Sequence, residues 1–244
     1  MKALHSILWA FLLASASVFG QEAARPVVSD EVWTSFSFKG RPPKFFNDLI
    51  GKSTRKRFGL GGELGYRTND VFFAGRQLYF DGELNFDLTD LIEVGLEHRY
   101  AYRPNGSDRQ RSQLKFQISE RMARFDLSFR SIFQHSWHEL GEERDNLRNR
   151  FSAEYDIPGW KLDPKFRVEF FTALLPAGLD HIGTRYQLGT EWSPWRGHGL
   201  GVAVVHDRER NVAWPDHRWI MSFEYSINIR KIRSELEKAK APKE

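Results

Sequence analysis

A serine nucleophile needs a base within reach and a third group to orient that base, and this chain has the residue types in quantity. His98 is followed by Ser112 and Ser119, and His135-Ser136 forms an adjacent pair. Their spacing along the sequence gives no recognisable nucleophile–base–orienter pattern. His98 therefore reads as an interfacial residue on an outward strand face, and no catalytic residue is assigned. His181, His198, His206 and His217 are scattered with Asp180, Asp207 and Asp216 at spacings unlike those of a metal centre, so neither metal nor cofactor is expected. Gly59-Leu60-Gly61-Gly62 lies inside an alternating segment, where glycine relieves crowding or permits curvature and does not cradle phosphate. Cys is absent, which removes thiol chemistry and disulfides.

What remains is charge at every second position. Glu63, Asp81, Glu83, Asp87, Glu93 and Glu97 fall in the second to fourth of the segments laid out below. Arg111, Lys115, Arg130, Arg148, Arg150, Lys165 and Arg167 fall in the fifth to eighth. Arg67, Arg99, Glu154, Glu169, Arg185 and Glu191 belong to the same face. One wall is thus acidic and the opposite wall basic. Two outcomes follow. The charges meet as ion-pair networks that fill a small interior, or they line a narrow pore whose transverse field selects polar or charged solutes. The net charge of +4 is too small and too mixed in sign for a nucleic-acid partner.

The elements that must hold these residues are strands. Phe58, Leu60, Gly62, Leu64 and Tyr66 alternate with Gly59, Gly61, Glu63, Gly65 and Arg67, and Phe166, Val168 and Phe170 alternate with Lys165, Arg167 and Glu169. Successive strand side chains point to opposite faces, so each segment has one apolar and one ionic side. Strands are expected near Val32–Lys39, Lys56–Arg67, Gln77–Leu88, Leu91–Arg103, Arg109–Ser119, Ala123–His135, Asn146–Tyr155, Asp163–Thr172, Gly183–Trp192, Gly199–Arg208 and Arg218–Asn228. Thr89-Asp90, Glu120-Arg121-Met122, Pro158-Gly159 and Pro194 to Gly197 read as short turns. Thr68 to Arg76, Pro104 to Asp108, Trp137 to Asp145, Leu174 to Ile182 and Glu209 to His217 read as longer loops at the other end.

Strands of ten or more residues suit a tilted membrane crossing. The outward set includes Leu78, Phe80, Leu84, Phe86, Ile92, Val94, Leu96, Leu114, Phe116, Ile118, Phe125, Leu127, Phe129, Trp219, Met221, Phe223 and Tyr225. Tyr66, Tyr100, Tyr102, Tyr155, Trp137, Trp192 and Trp219 cluster near strand ends as interfacial girdles. The expected fold is all-β, an antiparallel up-and-down transmembrane β-barrel of about 10–12 strands. Known bacterial single-chain barrels have even counts, so Gly40 to Lys52 either hides a twelfth strand or the first strand lies outside a ten-stranded barrel. The mean hydropathy of −0.53 does not oppose this, because only alternate residues of a barrel strand meet lipid.

Residues 1–20 read as a cleaved secretory signal peptide, with Lys2 before an apolar run from Ile7 to Phe19. Residues 21–229 are expected to form the barrel, and residues 230–244 a charged tail that reads as a short solvated helix ending at Pro242. Val32-Trp33-Thr34, Leu64-Gly65-Tyr66-Arg67, Leu96-Glu97-His98-Arg99-Tyr100, Leu147-Arg148-Asn149-Arg150 and Arg185-Tyr186-Gln187-Leu188 resemble the domain-of-unknown-function 2490 family of predicted bacterial outer-membrane barrels. That resemblance implies architecture and location and carries no catalytic residues.

The combined expectation is a non-enzymatic barrel of the Gram-negative outer membrane, structural or a narrow pore for small polar solutes. Its partners are outer-membrane lipid and the outer-membrane assembly machinery. A barrel enzyme acting on lipid or lipopolysaccharide is one alternative, and a secreted soluble β-protein is another.

Overall fold

A computed structural model describes residues 27–69, 71–138, 143–212 and 215–232. The expected signal peptide and most of the charged tail lie outside the described residues. Each alternating segment is a strand: β1 (Val27–Gly40), β2 (Phe58–Asn69), β3 (Val71–Asp87), β4 (Ile92–Tyr102), β5 (Arg109–Met122), β6 (Phe125–His138), β7 (Glu143–Tyr155), β8 (Asp163–Leu175), β9 (Gly178–Trp192), β10 (His198–Glu209) and β11 (Asp216–Asn228). They close into a single barrel in which each strand pairs with its sequence neighbour.

The barrel has eleven strands, and this corrects the expectation of an even, wholly antiparallel wall. A chain that reverses direction at every connection returns after an odd number of strands running the same way as it started. Strand β1 therefore closes on β11 in parallel, from Val27 opposite Asp216 to Lys39 opposite Asn228, while every other pair is antiparallel. Neither reading of Gly40 to Lys52 holds. Pro42-Pro43 interrupts strand pairing, and a 3-10 turn (Lys44–Phe46) leads into α1 (Asn47–Ile50) and α2 (Lys52–Arg57), which connect β1 to β2. Following the register around the wall returns the chain displaced by about 14 residues, which with eleven strands gives a tilt of about 40° and a radius of about 11 Å.

The rim where Val27 enters is here the N-terminal rim, and the rim where Asn228 leaves is the C-terminal rim. Three of the five expected long loops of the N-terminal rim are short, because hairpin ladders run into them, whereas the β4–β5 and β10–β11 connections keep six residues each. Strand β3 begins at Val71, and β8 and β9 are separated by Pro176-Ala177 alone. Backbone groups in these segments gain ladder partners by extending the strands, which open loops would leave to solvent. The longest connection, residues 41–57, lies at the C-terminal rim. In the β4–β5 connection the Asp108 carboxyl is held below the usual carboxylate range by the Tyr100 hydroxyl and the Arg103 N–H, the latter at 3.0 Å. The β5–β6 turn is two residues, Ala123-Arg124, with Ala123 at φ 55°.

Outside, the apolar set stands uncovered. Leu188 is 62% exposed, Leu96 57%, Leu114 55% and Phe80 53%. Tyr66, Tyr100, Tyr102, Trp137 and Trp219 ring the N-terminal rim, and Tyr155 and Trp192 mark the other. The ionic residues are the ones taken from solvent, with Asp81, Arg99, Lys115, Glu169 and Asp207 all buried.

Candidate functional site: the lumen

The parity that exposes Leu96 and Leu114 turns Glu97, Arg99, Gln113 and Lys115 inward. All the charged residues expected on the inward face except Asp87, Glu93 and Glu154 line one interior cavity. Those are Glu63, Arg67, Asp81, Glu83, Glu97, Arg99, Arg111, Lys115, Arg130, Arg148, Arg150, Lys165, Arg167, Glu169, Arg185 and Glu191. Glu93 lies opposite Gln117 in the register, and Glu154 is paired with Lys165 at 2.7 Å near the C-terminal rim.

The lumen has two halves. Toward the N-terminal rim the side chains are packed into an ion-pair layer. Asp81 takes Arg99 in a two-pronged bond, Nε to one carboxylate oxygen and Nη2 to the other. Glu97 takes Arg111 at 3.4 Å and Lys115 at 3.6 Å, and Lys115 also bonds Glu83. A second chain runs around the opposite wall. Glu169 holds Arg148 at 2.9 Å and Arg185 at 3.7 Å, and Asp207 holds Arg185 at 2.7 Å and Arg218 at 3.1 Å. Glu209 completes it on Arg218 at 3.0 Å. Apart from Lys115–Glu83, which skips β4, these pairs form between neighbouring strands along the wall, where the sequence reading expected them across the lumen. Ladder spacing explains this, since directly opposed residues already have their Cβ atoms within about 5.5 Å.

Three aromatic rings knit the layer. Arg67 lies over Trp33 at 3.9 Å, Arg99 over Tyr79 at 3.7 Å, and Arg185 over both Trp33 and Phe171 at 5.0 Å. A guanidinium over a ring face is stabilised by the ring quadrupole, which suits Arg67, a residue with no carboxylate partner within 4 Å among the described residues. Gly65 is required here because the Tyr79 ring occupies the space its Cβ would fill. Ile132, Val205 and Ile220 seal the remaining gaps and are nearly inaccessible.

Toward the C-terminal rim the lumen opens into a cavity of about 680 Å³. Ser193, His198, Asn228 and Lys231 stand at its mouth. Cationic side chains along its lining outnumber carboxylates twelve to seven. Arg130, Arg150 and Arg167, on three successive strands, carry most of this excess. Arg130 donates to Gln117 at 2.6 Å and Arg167 to Gln187 at 3.4 Å, and no carboxylate lies within 4 Å of any of the three among the described residues.

Sequence reasoning missed Glu31, Arg76, Tyr79, Asp207 and Arg218 as members of the layer. Glu31 is almost fully buried and bonds Arg76. Both sit in strand extensions that looked like loop or leader. Asp207 and Arg218 lay inside expected strands at inward parity, so counting parity to the strand ends finds them. Among the described residues, no group of three or more His, Cys, Asp and Glu is placed to hold a metal ion. No family model, no curated protein and no solved structure matches this chain.

Proposed function

We propose that this chain is an outer-membrane β-barrel of a Gram-negative bacterium, exported by its signal peptide and inserted by the outer-membrane assembly machinery. Surrounding lipid is its partner, and the resemblance to the domain-of-unknown-function 2490 family belongs to the same proposal. One observation carries it: the closed wall is inverted relative to a soluble protein, with large apolar side chains uncovered and salt bridges enclosed. In water such a belt costs about 25 cal/mol per Å² of exposed apolar surface, whereas acyl chains remove that cost.

Within this reading the lumen acts by binding and support and does no catalysis. The packed ion-pair layer blocks passage, so the barrel is a cup and not an open pore. Its cationic half admits small polar solutes from the C-terminal rim, anions in preference to cations. The test has two arms. The chain is expected to fractionate with outer membranes and to migrate faster on gels before heating than after. Reconstituted in planar bilayers it is expected to give no steady open current. Recovery as a soluble protein refutes the location, and a large steady conductance refutes the closed lumen.

A further inference from the structure

On the outward surface of β4 to β7, four polar side chains stand in one row of directly opposed residues. His98 faces Ser112, Ser112 faces His135, and His135 faces Asp145. The row lies on a mostly apolar outward face, close to the N-terminal rim and its aromatic girdle. Opposed residues have Cβ atoms about 4.5–5.5 Å apart, so each side chain is within reach of the next. Two of these three contacts are formed, His98 to Ser112 and His135 to Asp145. His98 Nδ1 is 3.0 Å from Ser112 Oγ, and His135 Nδ1 is 2.6 Å from Asp145 Oδ1. The Trp137 ring packs edge-on to His135 at 4.5 Å and lies 6.3 Å from His98. Beyond His98 the row reaches Gly82, where a side chain would meet nothing within 4 Å. The bare backbone there, between exposed Phe80 and Leu84, leaves an apolar gap beside the His98–Ser112 pair.

From this geometry we infer that the row is an acyl-ester hydrolase site facing the membrane, acting on fatty-acid esters of membrane lipids. It goes beyond the function proposed for the lumen and uses none of its residues. Ser112 is the nucleophile and His98, already in contact with it, is the base. Ser112 Oγ adds to the ester carbonyl carbon as its proton passes to His98 Nδ1, and the carbonyl π pair moves onto oxygen. The donor assigned to that oxyanion is Nε2–H of His135, whose Nδ1 is held by Asp145 at 2.6 Å. Collapse re-forms the carbonyl and breaks the bond to the alcohol oxygen, which leaves with the proton from His98. Water, giving its proton to His98, then adds to the acyl-serine. Fatty acid is released and the proton returns to Ser112. Asp145 acts through His135 and is a positioning residue. The apolar gap over Gly82 receives the acyl chain.

The full chain, purified in non-ionic detergent and verified as folded by heat-modifiable migration, is treated with a fluorophosphonate and separately mixed with two substrates. One is vesicles of phosphatidylethanolamine and phosphatidylglycerol, and the other is lipopolysaccharide. Free fatty acid is read by mass spectrometry, and the two arms distinguish the lipid source. The expected result is a fluorophosphonate adduct on Ser112 and fatty-acid release from at least one substrate. Ser112→Ala and His98→Ala, both still heat-modifiable, lose at least about 1,000-fold in rate. His135→Ala loses about 100-fold, as for removal of one oxyanion donor. Asp145→Asn lowers kcat with KM unchanged, and Asp145→Glu restores part of it. Folded wild-type chain that takes no label and releases no fatty acid from either lipid overturns the inference, as does a Ser112→Ala variant with full activity. Because labelling is read in detergent, a failed outer-membrane assignment leaves this outcome interpretable.

Discussion

Replacing Glu169 with alanine should be far more damaging than the same change at Glu154, although each carboxylate sits on an inward strand face opposite a cation. Glu169 is 3% exposed and is the acceptor shared by Arg148 and Arg185. Its removal leaves Arg148 buried with only Gln134 at 3.0 Å and the Phe171 ring as partners. Breaking a buried pair on one side costs about 3–5 kcal/mol, because the surviving charge stays desolvated. Arg185 keeps Asp207, which places the expected loss near the lower bound, about 3 kcal/mol. The pair of Glu154 and Lys165 is about a quarter exposed on both sides, and surface pairs contribute about 0–1 kcal/mol. At 1.4 kcal/mol per tenfold, the two variants differ by roughly 30-fold or more in unfolding constant. Urea titration of the barrel folded into lipid vesicles, read by Trp fluorescence, measures both. Glu169→Gln, which keeps the shape and one acceptor, should fall between them. Equal losses for Glu169→Ala and Glu154→Ala would show that the layer is hydrated and that its ion pairs do not close the lumen.

Three further outcomes are expected. Leu96→Arg or Leu114→Arg, each in the middle of the outward belt, should destabilise the barrel in vesicles by about 2–4 kcal/mol, while the same change at Tyr102 on the rim should cost about 0–1, measured by the same titration. Ala123→Gly should stabilise the β5–β6 hairpin by about 1 kcal/mol, because Ala123 holds a left-handed conformation that glycine adopts freely, and its urea midpoint should rise. Arg150→Ala in the cationic half of the lumen should leave the stability within about 1 kcal/mol and weaken binding of inorganic phosphate by isothermal calorimetry, since no ion pair within 4 Å holds its guanidinium among the described residues.

Much of this molecule could be read from period-two alternation alone. Parity placed Leu96 and Leu114 outside and Glu97 and Lys115 inside without any knowledge of the partner strands, because each strand carries its own two faces. The eleven segments were also legible, but closure was not. Parallel pairing of β1 with β11 follows from an odd count, whereas the sequence reading started from the even counts of known bacterial barrels. Level along the barrel axis was hidden too. Arg67, Tyr79, Arg99 and Arg185 form one layer only because the tilted register brings them to a common height, and register is set between strands, not within them. The loops failed for a related reason. Glu31 and Arg76 look like solvated charge until pairing extends β1 and β3 far enough to bury them together. The His98, Ser112, His135 and Asp145 row shows the same limit. Spacings of 14, 23 and 10 residues mean nothing along the chain, and only the ladder makes them neighbours.

The central claim is an inverted wall, lipid outside and ions inside, and the absence of native Cys allows it to be measured one position at a time. Single Cys substitutions at Leu96, Leu114 and Leu188, and at Lys165, Arg167 and Ser35, would carry an environment-sensitive fluorophore in chain folded into vesicles containing brominated lipid. The account predicts strong quenching by the bromines at the first three positions and none at the last three, which should answer only to a water-soluble quencher such as iodide. Water-phase quenching at Leu96, Leu114 and Leu188, with no effect of the brominated chains, would contradict it.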